Sequence, residues 1–215
     1  MQAVERAGNR LIGTVDDILD QSRIESGTVP KTVERLQLTP LIEAVVRSST
    51  PAAVGKRVGL SCTIDAPNVI VEADRRSLTI ALAKILANAI KFTEHGAVEV
   101  GLKMTSRNAA MIEIRDSGIG IAKDYIPRPF EPFSQERDNY ARPFEGIGLG
   151  LTIARHFLEL NNAWIAVQSE KGRGSIFTIH FPKVMARPFR KPASSPPPLD
   201  LNARRQPLIS GSASR

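Results

Sequence analysis

The sequence predicts an α+β domain: a two-layer α/β sandwich in which helices cover one face of a mixed, mostly antiparallel sheet, preceded by one long amphipathic helix. Two observations predict it. Several short runs alternate apolar and polar residues, as half-buried strands do, whereas a few longer stretches repeat apolar residues at helical spacing. The strands do not alternate strictly with helices, so a doubly wound parallel fold is not expected. A chain of 215 residues, 42% of them hydrophobic, suffices for one such domain and an appendage.

The first helix is predicted over residues 3–25. Its apolar residues form one stripe at helical spacing, made of Val4, Leu11, Val15, Ile18 and Leu19. The helix is expected to end near "ESGTVP", with Gly27 as its C-cap. A single amphipathic helix buries nothing by itself, so this one requires a partner, either the body of the domain or another chain.

The next segments mix strands and helices. Strands are predicted over 33–38 and 57–64, with a helix between them over 39–49 that is opened by Thr39 and has Pro40 in its first turn. A long helix, 74–93, is capped by Asp74. Its apolar residues share one side and are expected to face the core; they are Leu78, Leu82, Ile85, Leu86 and Ala89.

Two β-patterned runs, 97–104 and 109–116, could pair as neighbours. A loop-rich stretch of about 117–147 follows. The pattern then predicts a helix over 151–160 and two strands, 163–169 and 175–181, joined by the turn "EKGRG". Beyond Pro182 the pattern stops.

The net charge of +7 is concentrated in the last residues, 185–215. That segment has six basic residues against Asp200 alone, which accounts for five of the seven charges. The body is close to neutral, so we expect no nucleic-acid partner. The segment is rich in Pro, Ser and Arg, and it is predicted to be a disordered basic tail.

Other classes are also disfavoured by composition. The single Cys62 cannot form an internal disulfide, and no Cys/His cluster has zinc spacing. No apolar run is long enough to span a membrane, and charged residues occupy the N-terminus. We therefore expect a cytoplasmic chain without a membrane segment, although a longer parent protein could be attached to a membrane.

Four stretches contain residues that are more typical of a binding or catalytic site than of an ordinary helix, strand or loop. In the first, "NAIKFT" (88–93), Asn88 and Lys91 share a helix face; the amide could meet a metal ion or simply a backbone group. In the second, "RDSGIGIA" (115–122), Asp116 ends a strand just before two glycines. Its carboxylate could accept a hydrogen bond from an amino group beside a flat ring, or it could form an ordinary Asx-turn.

The third stretch, "FEPFSQ" (130–135), sets two phenylalanines around a proline, and these could simply anchor the loop. The fourth, "FEGIGLGL" (144–151), has three glycines directly before a helix. They indicate either a tight turn or a backbone that approaches a ligand, with a helix N-terminus behind it. Neither a Rossmann motif nor a P-loop fits, because no strand precedes these glycines and no GK[ST] follows them.

The order of the four stretches resembles that of the ATP-binding catalytic domain of sensor histidine kinases, in the ATPase superfamily that includes gyrase and the heat-shock chaperones. "NAIKFT" resembles the N box, "DSGIGIA" the G1 box, "FEPFSQ" the F box and "GIGLGL" the G2 box. "LIGTVDDILDQSRIESG" is similar to the second helix of that family's dimerisation domain. The resemblance spans roughly residues 4–183. It implies a dimerisation helix at 1–29 without its preceding helix, an ATP-binding kinase domain at 30–184 and the tail at 185–215.

The resemblance also implies roles for individual residues, with ATP and Mg²⁺ as cofactors. Asp116 would bind the adenine amino group, Asn88 would hold Mg²⁺ on the phosphates, and Lys91 would contact a phosphate. Arg137 and Arg142 are weaker candidates for phosphate contacts. The remaining cofactor-binding candidates would shape the adenine pocket or form the hinge of a lid and the phosphate-facing backbone; they are Gly118, Gly120, Ile121, Phe133, Gly146, Gly148, Leu149, Gly150 and Leu151.

The sequence departs from the family in two places that concern catalysis. The family's acceptor histidine belongs to a helix ahead of residue 1, and none of His95, His156 and His180 has an acceptor context. Lys84 stands one turn before Asn88, where the family usually has Asn and its relatives a general base; a lysine can contact phosphate but, being charged, cannot accept a proton.

Two functions therefore stay open. The first is a histidine kinase that transfers the γ-phosphoryl group of ATP to a histidine in another chain or in a missing N-terminal part. The second is a non-catalytic module that binds nucleotide or a partner kinase. The expected partners are a second chain, paired through helix 4–25 as a homodimer or heterodimer, and a response regulator or a partner kinase that carries the acceptor histidine.

Overall fold

The computed structural model describes residues 2–105, 109–136 and 147–186. Within these ranges the chain forms four helices and eight strands. In chain order they are α1 (Gln2–Glu25), β1 (Val33–Gln37), α2 (Leu38–Lys56), β2 (Gly59–Ile64), β3 (Val69–Asp74), α3 (Arg75–Phe92), β4 (Ala97–Met104), β5 (Ala110–Asp116), α4 (Gly150–Leu160), β6 (Trp164–Glu170), β7 (Gly174–Phe181) and β8 (Met185–Ala186).

The main sheet has five strands in the order β2-β4-β5-β7-β6. Only β2 and β4 pair in parallel, and the other three pairings are antiparallel. The prediction of a mixed, mostly antiparallel sheet is confirmed, as is the pairing of β4 with β5. A second, three-stranded sheet, β1-β3-β8, was not predicted. Its strand β8 consists of Met185–Ala186, the first two residues of the segment predicted to be the tail.

The core lies between the main sheet and helices α2, α3 and α4. The α3 residues expected to face it are all buried. They meet the inward-facing residues of the central strands, which are Val98, Val100, Leu102, Ile112, Ile114, Phe177 and Ile179. Each large side chain buried in this way stabilises the fold by about 1.5–3 kcal/mol, before the entropy of ordering it is counted. This packing fixes the direction of α3, which carries the N box.

Helix α2 differs from its prediction at both ends. It begins at Leu38, directly after β1, and its N-cap Gln37 makes no side-chain capping bond. Thr39 is therefore not the cap, and its hydroxyl instead donates to the Pro67 carbonyl at 2.8 Å. At the other end, the helix continues through Pro51 to Lys56, whose ammonium donates to three backbone carbonyls at the end of α3. Burial lowers the pKa of Lys56.

The start of α3 is fastened to the end of α4. The predicted cap at Asp74 is confirmed, since its carboxylate accepts from the amides of Ser77 and Thr32 at 2.8 Å each. Burial alone would raise the pKa of Asp74, but these hydrogen bonds hold it below its usual value. Asn161 completes the junction by accepting from the Asp74 amide at 2.6 Å and donating to the Ser77 hydroxyl at 2.8 Å. Nearby, Asn162 adopts the left-handed conformation that asparagine tolerates, with φ 54°.

Helix α1 lies against the domain with one side and leaves its apolar stripe exposed. Four residues of the predicted stripe and the neighbouring Ile12 have side chains that are between 46% and 66% exposed. They are Leu11, Ile12, Val15, Ile18 and Leu19. The opposite side, with Gln21 and Ile24, meets the body. Among residues 2–105, 109–136 and 147–186, no helix is long and apolar enough to cross a membrane.

Candidate functional site

Asp116 sits at the end of β5 with only 5% of its surface exposed. Its Oδ1 accepts from the backbone amides of Gly118 at 2.9 Å and Ser175 at 3.2 Å. Burial raises the pKa of the Asp116 carboxyl, and those amides partly offset the effect. Both backbone donors use the same oxygen, so Oδ2 has no backbone donor. The Ser175 hydroxyl also bonds to the carboxylate, which is therefore held in a fixed orientation.

The G1 box packs on the end of α3. A Cβ at Gly118 would stand 2.8 Å from the carbonyl carbon of Phe92, so no side chain fits there. The next amide, that of Ile119, donates to the Phe92 oxygen at 3.2 Å. The loop that holds Gly118 and Ile119 is thus hydrogen-bonded to the end of α3.

On that helix, the predicted metal and phosphate residues lie close together. Asn88 is half-buried, and its side chain makes no hydrogen bond to any described residue. The ammonium of Lys91 lies 4.8 Å from the centre of the Phe92 ring. Because the two side chains are three residues apart, they share one face of α3, as predicted.

The other half of the G1 box packs on the β6–β7 turn. Gly120 has φ 63°, and a Cβ there would be 2.8 Å from the carbonyl carbon of Glu170. The Ile121 amide donates to the Ser169 hydroxyl at 2.8 Å, and the Gly172 amide donates to the Ile119 carbonyl at 2.7 Å. Sequence reasoning treated "EKGRG" only as a turn. The glycines and serines around it were the available signal that it supports the site.

The F box and the G2 box are joined to each other. The Phe133 amide donates to the Gly148 carbonyl at 3.1 Å, and a Cβ at Gly148 would lie 2.8 Å from the Ser134 oxygen. Phe130 packs against the core, which agrees with an anchoring role. Phe133 does not: it is 68% exposed and has φ 59°, a strained conformation for a bulky residue. Strain of this kind is concentrated at functional sites.

The G2 box leads into the N-terminus of α4, which begins at Gly150. Leu149 is 1% exposed, so its side chain belongs to the core and only its backbone could face a ligand. Leu151 is half-buried. A Cβ at Gly150 would have no atom within 4 Å, so nothing in the described protein requires glycine there. The remaining candidates, Arg137, Arg142 and Gly146, lie outside the described residues.

Lys84 has a partner that the sequence did not reveal. Its ammonium forms an ion pair with the Asp17 carboxylate of α1, 67 positions earlier in the chain. The two side chains are only 18% and 24% exposed. Lys84 also precedes Asn88 by one helical turn, so the ion pair joins α1 to the N-box face of α3.

The histidines occupy places consistent with structural roles. His95 is exposed in the turn after α3, and His156 lies on α4. His180, on β7, stacks on Trp164 with ring centres 3.7 Å apart. Burial lowers the pKa of His180.

Together, the fold and the candidate site define a class of protein: an α/β sandwich that has a buried aspartate and two glycine boxes and lacks a P-loop sequence. The model of the "Histidine kinase-, DNA gyrase B-, and HSP90-like ATPase" family matches residues 73–185, just over half of the chain. The chain belongs to this family, and it contains the ATP-binding catalytic domain of a two-component histidine kinase.

Individual relatives agree with this assignment. The sensor histidine kinase RcsC of Escherichia coli K12 is 33% identical over 184 residues, which are 84% of this chain and 19% of RcsC. The hybrid signal transduction protein dokA of Dictyostelium discoideum is 33% identical over 206 residues, 91% of this chain and 12% of dokA. The chain therefore spans less than a fifth of the length of either curated relative.

Solved structures share the architecture. Full-length ShkA, solved in complex with AMPPNP, superposes with a TM-score of 0.75 at 26% identity over 88% of this chain and 39% of ShkA. The Acinetobacter baumannii histidine kinase AdeS gives a TM-score of 0.66 at 20% identity over 84% of this chain and 82% of AdeS, a likeness of fold alone.

Proposed function

We propose that this chain binds ATP with Mg²⁺ and transfers the γ-phosphoryl group to a histidine located in another chain or in another part of a longer protein. The observation that carries the proposal is the orientation of Asp116. Its Oδ1 accepts from two backbone amides, and Oδ2 would accept from the amino group of adenine. Gly118, Gly120 and Ile121 build the adjacent wall, and Phe133 lies at the rim.

The phosphates would lie between α3 and the N-terminus of α4. No described residue fills the space beside Gly150, so phosphate oxygens could approach the backbone N–H groups there, where the helix dipole favours negative charge. Lys91 would contribute a positive charge from α3. Gly148 keeps the F and G2 boxes together and so fixes the entry to this helix.

Asn88 fits the role of a Mg²⁺ ligand. Its side-chain amide makes no hydrogen bond within the described structure, and Mg²⁺ prefers oxygen ligands shared with nucleotide phosphates. The described residues hold no group of three or more His, Cys, Asp or Glu side chains that could bind a metal ion unaided, so the nucleotide would complete the site. Bound there, Mg²⁺ would neutralise charge that develops on the phosphates.

The exposed apolar stripe of α1 indicates how the chain would meet its partners and the acceptor histidine. The stripe would pair with a second chain, as a homodimer or heterodimer, and bring an acceptor histidine to the γ-phosphate. A response regulator or a partner kinase would receive the phosphoryl group. Because the reaction consumes ATP, we place it in the cytoplasm.

A second candidate is a non-catalytic nucleotide-binding or kinase-binding module. It is favoured by Lys84, which stands one turn before Asn88 and is ion-paired with Asp17. A charged lysine cannot act as a general base there.

Incubation with γ-labelled ATP and a separate histidine-bearing dimerisation domain decides between the two. The kinase transfers label to that partner, none to a His→Gln version of it, and much less when Asp116→Asn replaces the parent chain. Saturable ATP binding without label on the partner would favour the non-catalytic module.

Gly150→Ala separates ligand contact from folding. Alanine is the better helix residue and meets no atom of the described protein, so the unfolding temperature is expected to stay level or rise. The added methyl group would stand where phosphate oxygens approach, and ATP affinity is expected to fall about tenfold, the loss of one hydrogen bond to a charged group at the weak end of its range. Calorimetric titration with ATP and with adenosine measures this, and equal losses for both ligands would contradict a phosphate contact.

A further inference from the structure

We propose that Lys84 is shared between Asp17 and the terminal phosphate of bound ATP, so that docking of α1 on the domain and binding of ATP oppose each other. This inference rests on the proposed function, because it requires nucleotide phosphates near Asn88. It assigns Asp17 as a positioning residue that acts on the nucleotide through Lys84.

The side of α1 that faces the domain is built for a reversible contact. Its covered side chains are mostly polar, Thr14, Asp17, Asp20 and Gln21 against Ile24, while the apolar stripe faces away. Gln21 is 8% exposed, and its Oε1 has no hydrogen-bond partner within the described residues, although its Nε2 donates to Glu25 at 2.8 Å. A buried acceptor left unsatisfied costs about 1–3 kcal/mol. Docking of α1 therefore contains an unfavourable contribution that undocking removes.

Helix α1 packs mainly on α4, and the Asp17–Lys84 ion pair attaches it to α3 as well. Both side chains are three-quarters or more covered, so solvent screens their attraction less than that of a surface pair. Every other ion pair of the described structure has at least one partner that is more exposed than either of them. The contact between α1 and α3 thus depends on the Lys84 ammonium, which could pair with another anion instead of Asp17.

Nucleotide binding offers Lys84 a second partner. Side chains four apart on a helix are neighbours, with about 5–6 Å between their Cβ atoms, and a lysine ammonium is a point charge on a long flexible stem. Phosphates bound beside Asn88 would lie within reach of the Lys84 ammonium. They carry more negative charge than the single Asp17 carboxylate, so they compete for it.

The two contacts are then linked. If ATP draws Lys84 away from Asp17, it weakens α1 docking; by thermodynamic reciprocity, docked α1 lowers the affinity for ATP by the same factor. The effect depends on the terminal phosphate, so it should be smaller for ADP and absent for adenosine. Release of α1 would leave it free to move relative to the bound nucleotide.

Asp17→Asn tests the inference, with Asp16→Asn on the exposed side of α1 as the matched control. Removing the competing carboxylate is expected to lower the Kd for ATP about fivefold or more, the lower end of typical allosteric couplings. The Kd for adenosine should not change, and Asp16→Asn should leave both values unchanged. Calorimetry in Mg²⁺ buffer, with unfolding temperatures recorded for each variant, provides the measurement.

A double-mutant cycle isolates Lys84. Lys84→Met should raise the Kd for ATP, and Asp17→Asn should have no further effect in that background. An unchanged ATP affinity in Asp17→Asn, or an equal gain for adenosine, would overturn the inference. If Lys84→Met does not fold, the comparison of ATP with adenosine in Asp17→Asn still decides. Failure of the parent chain to bind ATP at all would instead refute the proposed function.

Discussion

Asp116→Asn is expected to weaken ATP binding by about 10- to 100-fold, the loss typical of one hydrogen bond to a charged group. Asparagine has nearly the shape of aspartate. Its amide oxygen can take the place of Oδ1 and accept from Gly118 and Ser175, so the loop should keep its conformation. The amide nitrogen would then occupy the position of Oδ2 and present hydrogens to the adenine amino group, where an acceptor is needed.

The same substitution should not reduce stability at neutral pH. Burial raises the pKa of Asp116, so the folded chain holds the proton more tightly than the unfolded chain does. The contribution of Asp116 to the free energy of unfolding is fully present below the pKa that Asp116 has in the unfolded chain. It is lost as pH rises through the pKa that Asp116 has in the folded chain. At pH 7 the parent carries the cost of a buried charge that asparagine avoids. Asp116→Asn should therefore unfold at the same or a higher temperature at pH 7, and its advantage should shrink near pH 4.

Asp124→Asn is the matched control, because Asp124 is an exposed carboxylate a few residues further along the same loop. Calorimetric titration and thermal unfolding should both be unchanged in that variant. Equal ATP affinity in the parent and in Asp116→Asn would remove Asp116 from the site, and a large drop in unfolding temperature would show that its role is structural.

Features set by short-range periodicity could be predicted from the sequence. The buried face of α3 follows from apolar residues at helical spacing, and its cap follows from Asp74 immediately before the first turn. Asp116 could be recognised as a candidate site residue because an aspartate followed by two glycines is unusual at the end of an apolar strand. These signals lie within a few residues of one another, where local propensity decides the conformation.

Long-range contacts could not be predicted in the same way. No local pattern pairs Asp17 with Lys84 across 67 positions, and the contact arises because α1, which packs mainly on α4, brings Asp17 within reach of α3. Strand β3 was missed because it is defined by its pairing with β1 and β8, two segments that are distant from it in the sequence. The start of α2 was misplaced for a similar reason: β1 passes into α2 without a loop, and Thr39 bonds to Pro67 instead of capping.

The glycines were predictable in their clustering but not in their individual roles. Their clusters were visible in the sequence, but the reason for each glycine depends on tertiary neighbours. Gly118 is required by the end of α3 and Gly148 by the F box, whereas the described protein places no demand on Gly150. The glycine motifs therefore contain two kinds of position: Gly118 and Gly148 are required by the packing of the protein, whereas Gly150 is not.

Gly120→Ala should lower stability by about 3 kcal/mol or more, in the range of severe single substitutions. Two costs combine. A left-handed conformation is unfavourable for alanine by about 1–2 kcal/mol, and Gly120 has φ 63°. In addition, the new methyl group would overlap the backbone of Glu170, with its carbonyl carbon at 2.8 Å and no flexible side chain to move aside. The G1 loop and the β6–β7 turn would have to separate, so ATP affinity should fall as well.

Gly172→Ala, in the turn that the G1 loop contacts, separates these two costs. Gly172 has φ 81°, but a Cβ there would meet no atom of residues 2–105, 109–136 and 147–186 within 4 Å. Its substitution should cost only the conformational part, about 1–2 kcal/mol, and leave ATP affinity nearly unchanged. Chemical unfolding of the two variants beside the parent measures the difference. If both alanines cost the same, the close approach of the G1 loop to the turn contributes nothing, and the rigidity assigned to the Asp116 side of the site would have to come from its hydrogen bonds alone.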